Sequence, residues 1–237
     1  MSPTSPVDSL PDVGVLIAAA GSGDRAGGGE PKQFRTIAGV PMLLRAVRPF
    51  AMHPRVRRIV VALPPRFAAE PPPWLATVAG ERLLVVEGGA TRAASVRAAL
   101  AALEQGCRIV LVHDAARPFV SLETVDAVIA TAAGGVAAVP AVPVSDTLKR
   151  ADPSTSRIVE TVDRTGLWHA QTPQGFPRDM LEEAYRHVEG GDLGSFTDEA
   201  AVVEAAGHPV EIVPDQTSNV KLTTAADFAL AEAMIGP

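Results

Sequence analysis

Apolar and polar positions along this 237-residue chain alternate in blocks whose period changes from one block to the next. Short, mostly apolar runs at 13–20, 56–63 (apolar from Ile59), 83–87, 109–113, 136–142 and 210–213 read as strands of a buried sheet. Between them the spacing becomes helical. Met42, Leu43, Ala46, Val47 and Phe50 form a stripe introduced by Pro41, and Val96, Ala99, Leu100 and Leu103 form another over 91–103. Ser121 suits the N-cap of a helix running to Ala132, further helices are predicted at 177–187 and 198–206, and Thr224 opens a last one to about Met234. Pro71-Pro72-Pro73 breaks the chain after the second strand. Strands alternating with helices predict an α/β fold, a mostly parallel sheet with helices on both faces.

One stretch leaves this rhythm. Over 143–172 the text is polar and proline-punctuated, with β-like runs at 158–162 and 167–170, which predicts a protruding hairpin arm rather than a core helix. An arm without a core of its own is expected to pack on a second subunit. Trp168 and His169 within it read as packing residues.

The junctions between strands and helices carry the candidate chemistry. The first strand empties into Gly21-Ser22-Gly23-Asp24-Arg25 and then Pro31-Lys32. Glycines let backbone N–H groups encircle an anion, and Arg25 and Lys32 add full positive charge. A Walker A loop would need Gly-Lys-Ser/Thr in succession, whereas Lys32 lies between Pro31 and Gln33. The dinucleotide pattern is formally met by Gly21, Gly23 and Ala26, but Gly27-Gly28-Gly29 and Pro31 prevent a helix from opening there. The next strand ends in Pro64-Pro65 instead of an acid that could hold a ribose. Two readings remain: a long loop folded over a nucleoside triphosphate, or a glycine-rich surface turn with solvated cations.

His113-Asp114-Ala115-Ala116-Arg117 stands at the carboxyl end of the fourth strand, where open α/β sheets place ligands. Asp114 there could hold Mg²⁺ or sugar hydroxyls, with Arg117 fixing it or meeting an anion, or the two could simply brace a turn. Gly88-Gly89 through Ser95 could offer backbone groups and a hydroxyl to a base edge, or be a loop capped by Thr91. Lys221 lies between Val220 and Leu222 just before the last helix, as a functional cation or a solvated one.

Composition narrows the class. A net charge of -6 and a pI near 5.4 argue against a nucleic-acid surface, so any polyanion site must be local. Cys107 is the single cysteine, which excludes an intrachain disulfide and a cysteine zinc cluster and suggests a reducing compartment. Residues 1–12 lack the pattern of a secretory signal and read as a disordered tail, leaving 13–237 as a single domain. No apolar run approaches the roughly 20 residues needed to cross a bilayer, so a cytoplasmic protein is expected.

Taken in order, AAAGSGDR, PKQF, GGATRAASV, HDAARPFV, PVSDTLKR, VDRTGLWHAQTPQGF, TDEA and NVKLTT resemble the 2-C-methyl-D-erythritol 4-phosphate cytidylyltransferase family from Val13 onward. The resemblance implies a Rossmann-like nucleotidyltransferase fold, a homodimer joined through its arm, and CTP with Mg²⁺ as co-substrates. The acceptor phosphate would attack the α-phosphorus of CTP and expel pyrophosphate. By the same resemblance Arg25, Lys32 and Lys221 stabilise phosphate charge, and Ala19, Ala20, Gly21, Gly23, Gly89, Ser95 and Ala115 hold the nucleotide. Asp114 and Arg117 would meet the acceptor, with Asp114 also facing the metal, and Thr172 and Thr197 would face the acceptor too. Thr147 and Arg164 would reach the acceptor phosphate of the neighbouring subunit. Ala90 stands where some relatives carry an acid able to contact ribose, so that contact is lacking. Ribitol-5-phosphate cytidylyltransferase and a noncatalytic CTP-binding regulator are the alternatives that share this scaffold.

Overall fold

The structure, a computed structural model, describes residues 12–21, 31–191 and 193–236. It opens with β1 (Val13–Ala18), a 3-10 turn at Lys32–Phe34, the antiparallel pair β2 (Thr36–Ile37) and β3 (Val40–Pro41), and α1 (Met42–Met52). Next come β4 (Val56–Leu63), the short helices α2 (Pro65–Ala69) and α3 (Pro73–Ala79), β5 (Leu83–Glu87), α4 (Arg92–Ala101), β6 (Ile109–Asp114) and α5 (Leu122–Ala133). The second half holds β7 (Ala137–Pro143), β8 (Leu148–Ala151), β9 (Ile158–Val162), β10 (Trp168–Ala170), β11 (Gln174–Pro177), α6 (Arg178–His187), α7 (Glu199–Ala205), β12 (Val210–Pro214) and α8 (Ala225–Ile235). Helix starts follow side-chain chemistry. Thr91, Ser121, Asp198 and Thr224 each accept the backbone N–H three residues on, and Asp227 returns the bond to Thr224 as a capping box.

The sheet is mainly parallel and eight-stranded, in the order β10-β7-β11-β6-β1-β4-β5 with β12 also on β7. β1 pairs in parallel with β4 and β6, β4 with β5, and β12 with β7, while β11 runs antiparallel between β6 and β7. Period-two alternation sends side chains to two cores. Val15, Ile17, Ile59, Val61 and Leu111 pack with Leu43, Val47 and Phe50 of α1 and Val128 of α5. Leu16, Val60, Val110 and Val112 pack on the opposite face with Val96 and Leu100 of α4, Leu181 of α6 and Val202 of α7. Each large side chain so buried contributes about 1.5–3 kcal/mol. α8 lies over a third cluster through Phe228 and Ala231.

Four of the differences between the expected and observed elements have a plain local cause. The first strand ends at Ala18 rather than Ala20, because the chain leaves the sheet once Ala19 N–H has reached Ala62 O at 3.0 Å. Pro73 does not only break the chain: its fixed φ suits a first helical turn, and α3 starts there. The run at 167–170 is not an arm strand, since Trp168, His169 and Ala170 pair with Pro143, Val142 and Ala141 of β7 in the main sheet. The arm proper is the separate hairpin of β8 and β9, exposed along most of its length. Finally, Asp12, assigned to the tail, already takes Arg108 N–H and Ile109 N–H on its carbonyl, and the rest of that tail lies outside the described residues.

Candidate active site

β1 and β6 end side by side, with Ala18 in register with Asp114, so the chain turns away from the sheet at both places on one edge. β5 ends two strands over, and its following glycine returns Gly88 N–H to Leu63 O at 2.8 Å. The three turns enclose a cavity of about 530 Å³, walled by the backbone of Ala19 to Gly21, the Gly89 to Arg92 turn, Asp114 to Ala116, Lys32 and Lys221. Tight packing shapes this wall. A Cβ at Gly88 would lie 2.2 Å from the Ala20 Cβ, and one at Gly89 would lie 2.5 Å from the Ala94 Cβ. Gln33, buried beneath the first turn, donates to Ala19 O at 2.7 Å and pins it.

Charge in the cavity centres on Asp114. Its Oδ1 takes Arg92 Nε at 2.8 Å and its Oδ2 takes Lys221 Nζ at 2.7 Å. Burial alone would raise the Asp114 pKa, but the Arg92 and Lys221 charges and hydrogen bonds outweigh it and hold the carboxyl well below the usual range. Arg92 also donates from Nη1 to Glu199 Oε2 at 2.6 Å. Glu199 is wholly buried, and there burial prevails over Arg92 and pushes its pKa up. Lys32 reaches Leu222 O at 3.4 Å, which brings a third cation to the same mouth.

Two sets of buried bonds place Asp114 and Lys221. Thr172 Oγ1 accepts Asp114 N–H at 3.1 Å and lies 3.0 Å from His113 Nδ1, while His113 Nε2 lies 3.0 Å from Arg117 O. A carbonyl can only accept, so Nε2 carries the proton and Nδ1 takes the threonine hydroxyl proton. Burial also lowers the His113 pKa to about 4, so the ring is neutral. On the other side Asn219 O receives both Arg117 Nη1 at 2.6 Å and Gln171 Nε2 at 3.1 Å, and Asn219 Nδ2 donates to Thr172 O and Asp215 Oδ2. Leu222 N–H closes on Ala116 O at 2.8 Å. Lys221 is thereby carried to the end of β6.

Of the residues singled out in the sequence, Ala19, Ala20, Gly21, Lys32, Gly89, Ser95, Asp114, Ala115 and Lys221 line this one cavity. Ser95 does so with its hydroxyl engaged, accepting Gly89 N–H at 3.1 Å and donating to Thr91 O at 2.9 Å. Arg117 is spent on the carbonyls of Asn219 and Ala170 and does not line the cavity, and Thr172 is buried behind Asp114. Thr147, Arg164 and Thr197 are not gathered into it, with Arg164 exposed and donating to Ser145 O inside its own arm. Trp168 and His169 are likewise exposed on this chain. Arg25, Gly23 and the glycines at 27–29 lie outside the described residues.

A family model described as 2-C-methyl-D-erythritol 4-phosphate cytidylyltransferase matches residues 13–236. The chain belongs to this family. A relative of that name from Frankia casuarinae is 44% identical over 95% of this chain and 82% of its own length. The "Bifunctional enzyme IspD/IspF" of Rhodopseudomonas palustris is also 44% identical over 95% of this chain, which spans 56% of that longer protein. A crystal structure of the cytidylyltransferase from Thermus thermophilus superposes with a TM-score of 0.78 at 38% identity, covering 93% of this chain and 97% of that one. Within the family segments, Arg92 and Glu199 belong to GGATRAASV and TDEA without having drawn attention as site residues. One signal was available for Arg92: a cation in the first turn of a helix opposes the helix dipole, so something other than helix stability places it there.

Proposed function

We propose that the chain transfers the cytidylyl group of CTP to 2-C-methyl-D-erythritol 4-phosphate, giving 4-diphosphocytidyl-2-C-methyl-D-erythritol and pyrophosphate. The observation that carries this reading is the cavity itself: Lys32, Arg92 and Lys221 surround one ionised carboxylate beside the glycine turns, in a chain of the cytidylyltransferase family. A triphosphate fits such an excess of positive charge. The base would lie along the Ala19, Ala20 and Gly89 backbone, with Ser95 holding the turn.

An oxygen of the acceptor phosphate forms a bond to the α-phosphorus, and the bond from that phosphorus to the bridging oxygen of the β-phosphate breaks. Pyrophosphate leaves with the electron pair. In this reading the attack is direct, and the one carboxylate that lines the cavity among the described residues is tied to two cations rather than free to act as a nucleophile. Lys32 and Lys221 stabilise the charge that develops, with Arg25 as a further cation in this reading. Asp114 and Thr172 orient the acceptor side, Asp114 directly and Thr172 through Asp114 and His113, with Arg117 acting through the Asn219 carbonyl. Thr197 completes that side.

No cluster of three or more metal-ligating side chains occurs among the described residues. That suits Mg²⁺, which commonly takes one carboxylate together with substrate phosphates and water. Asp114 is ionised and each of its oxygens keeps a lone pair beyond its ion pair, so it fits the role of that carboxylate. Bound Mg²⁺ would neutralise phosphate charge. Our reading also includes a homodimer, in which Thr147 and Arg164 of the arm reach the acceptor phosphate of the neighbouring site, and a cytoplasmic location. No helix of the described residues is long and apolar enough to cross a membrane.

A coupled pyrophosphate-release assay tests the assignment. Release should require CTP and methylerythritol phosphate together, with UTP and ribitol phosphate much poorer. Equal turnover with ribitol phosphate would remove the acceptor assignment, and equal turnover with UTP would remove the base-reading role of the turns.

A further inference from the structure

Glu199 is a fully buried charged side chain that no step of cytidylyl transfer uses. Its Oε2 takes Arg92 Nη1 at 2.6 Å and its Oε1 takes the Tyr185 hydroxyl at 3.2 Å. Arg92 turns Nε to Asp114 Oδ1 at 2.8 Å, and Asp114 Oδ2 takes Lys221 Nζ at 2.7 Å. Charge therefore alternates along Glu199, Arg92, Asp114 and Lys221. A guanidinium beside a single carboxylate commonly engages both oxygens with two parallel bonds. Here Arg92 meets Asp114 through Nε alone, with Nη1 held by Glu199 and Nη2 buried without a hydrogen-bond partner, and Asp114 keeps one oxygen for the lysine.

Neither residue is where folding alone would place it. Burying a carboxylate is costly, and burial indeed pushes the Glu199 pKa up against the opposing charge of Arg92. Arg92 begins α4 in opposition to the helix dipole. We propose that Glu199 is a positioning residue for the reaction, acting through Arg92 to reserve one Asp114 oxygen for Lys221 and so to hold the Lys221 ammonium against the reacting phosphates. The inference rests on the cytidylyl-transfer reading above.

The test is a cycle of kcat values at saturating CTP and methylerythritol phosphate for the unaltered protein, Glu199→Gln, Lys221→Ala and the double variant. Glutamine keeps the shape and an acceptor for Arg92 but removes the charge that competes for it. Glu199→Gln should lower kcat about tenfold while leaving the KM for CTP within about threefold. In the Lys221→Ala background the same change should cost less than about twofold, because the group it positions is already gone. A residue that only supports the fold would cost the same factor in both backgrounds, and that result, or a kcat within about twofold of the unaltered protein, would overturn the proposal. If Glu199→Gln does not fold, Arg92→Lys replaces it in the cycle, since a lysine offers one nitrogen where Arg92 uses two, and the same non-additivity is expected. Absence of turnover by the unaltered protein would instead contradict the functional reading.

Discussion

Lys221 and Lys32 meet in the cavity from segments far apart in the chain, and the reaction makes little demand on them other than charge in the right place. Lys32→Ala and Lys221→Ala should each lower kcat by roughly 10² to 10³, the usual loss on removing one preorganised contact to developing charge. Steady-state kinetics read the result: a raised KM for CTP with normal kcat would make the lysine a ground-state binder. Thr172 offers a different kind of prediction. Thr172→Val leaves Asp114 N–H and His113 Nδ1 without partners in the interior and should cost about 1–3 kcal/mol of stability, measured by urea unfolding. Thr172→Ser restores the hydroxyl and should recover most of it; equal losses in both variants would mean that the methyl group matters instead. Asp114 and Lys32 were legible in the sequence because a strand end and a glycine loop announce a ligand edge, whereas Lys221 read locally as a solvated cation and stood out only through the family resemblance. Arg92 and Glu199 were not, since nothing in local spacing says that residues 107 positions apart share an ion pair. Asn219 and Gln33 are hidden for the same reason: their amides act on backbone carbonyls that only the folded chain brings near.

At the scale of elements, the strand pattern identified β4 to the residue and β6 to within one, since Ile59 to Leu63 and Ile109 to Val112 carry the apolar text that burial on both faces needs, although Arg57 and Arg58 open β4. The antiparallel β11 escaped. Its four residues, Gln174–Pro177, contain a glycine and a proline and owe their strand pairing to β6 and β7 rather than to their own propensity. The arm is legible from its polar, proline-broken text, but it ends earlier than that text suggests, since β10 pairs with a neighbour that local pattern cannot reveal. A lone two-stranded hairpin is marginal in water. β8 and β9 pair only with one another, and Ile158 and Val159 stand 65% exposed on this chain. Under the dimer reading these side chains are covered by a second subunit, so Ile158→Glu combined with Val159→Glu should shift sedimentation from dimer toward monomer. An unchanged sedimentation coefficient would place the dimer contact elsewhere.

At the scale of the whole molecule, the sheet brings the proposed catalytic groups Lys32, Asp114 and Lys221 to a single edge and leaves Thr147 and Arg164 on an arm, away from it. If each site borrows the arm of its neighbour, mixing inactive Lys32→Ala with inactive Arg164→Ala subunits should restore part of the activity after subunit exchange. Mixtures no more active than their components would show that each site is built within one chain. The central claim is that cytidylyl passes directly from CTP to the acceptor phosphate, driven by fixed charge and without a covalent enzyme intermediate. The most direct measurement is the stereochemical course at the α-phosphorus, using CTP made chiral there by sulfur substitution and methylerythritol phosphate as acceptor. A single displacement predicts a diphosphocytidyl product of inverted configuration. Retention would require two displacements and an enzyme nucleophile, and would contradict the account.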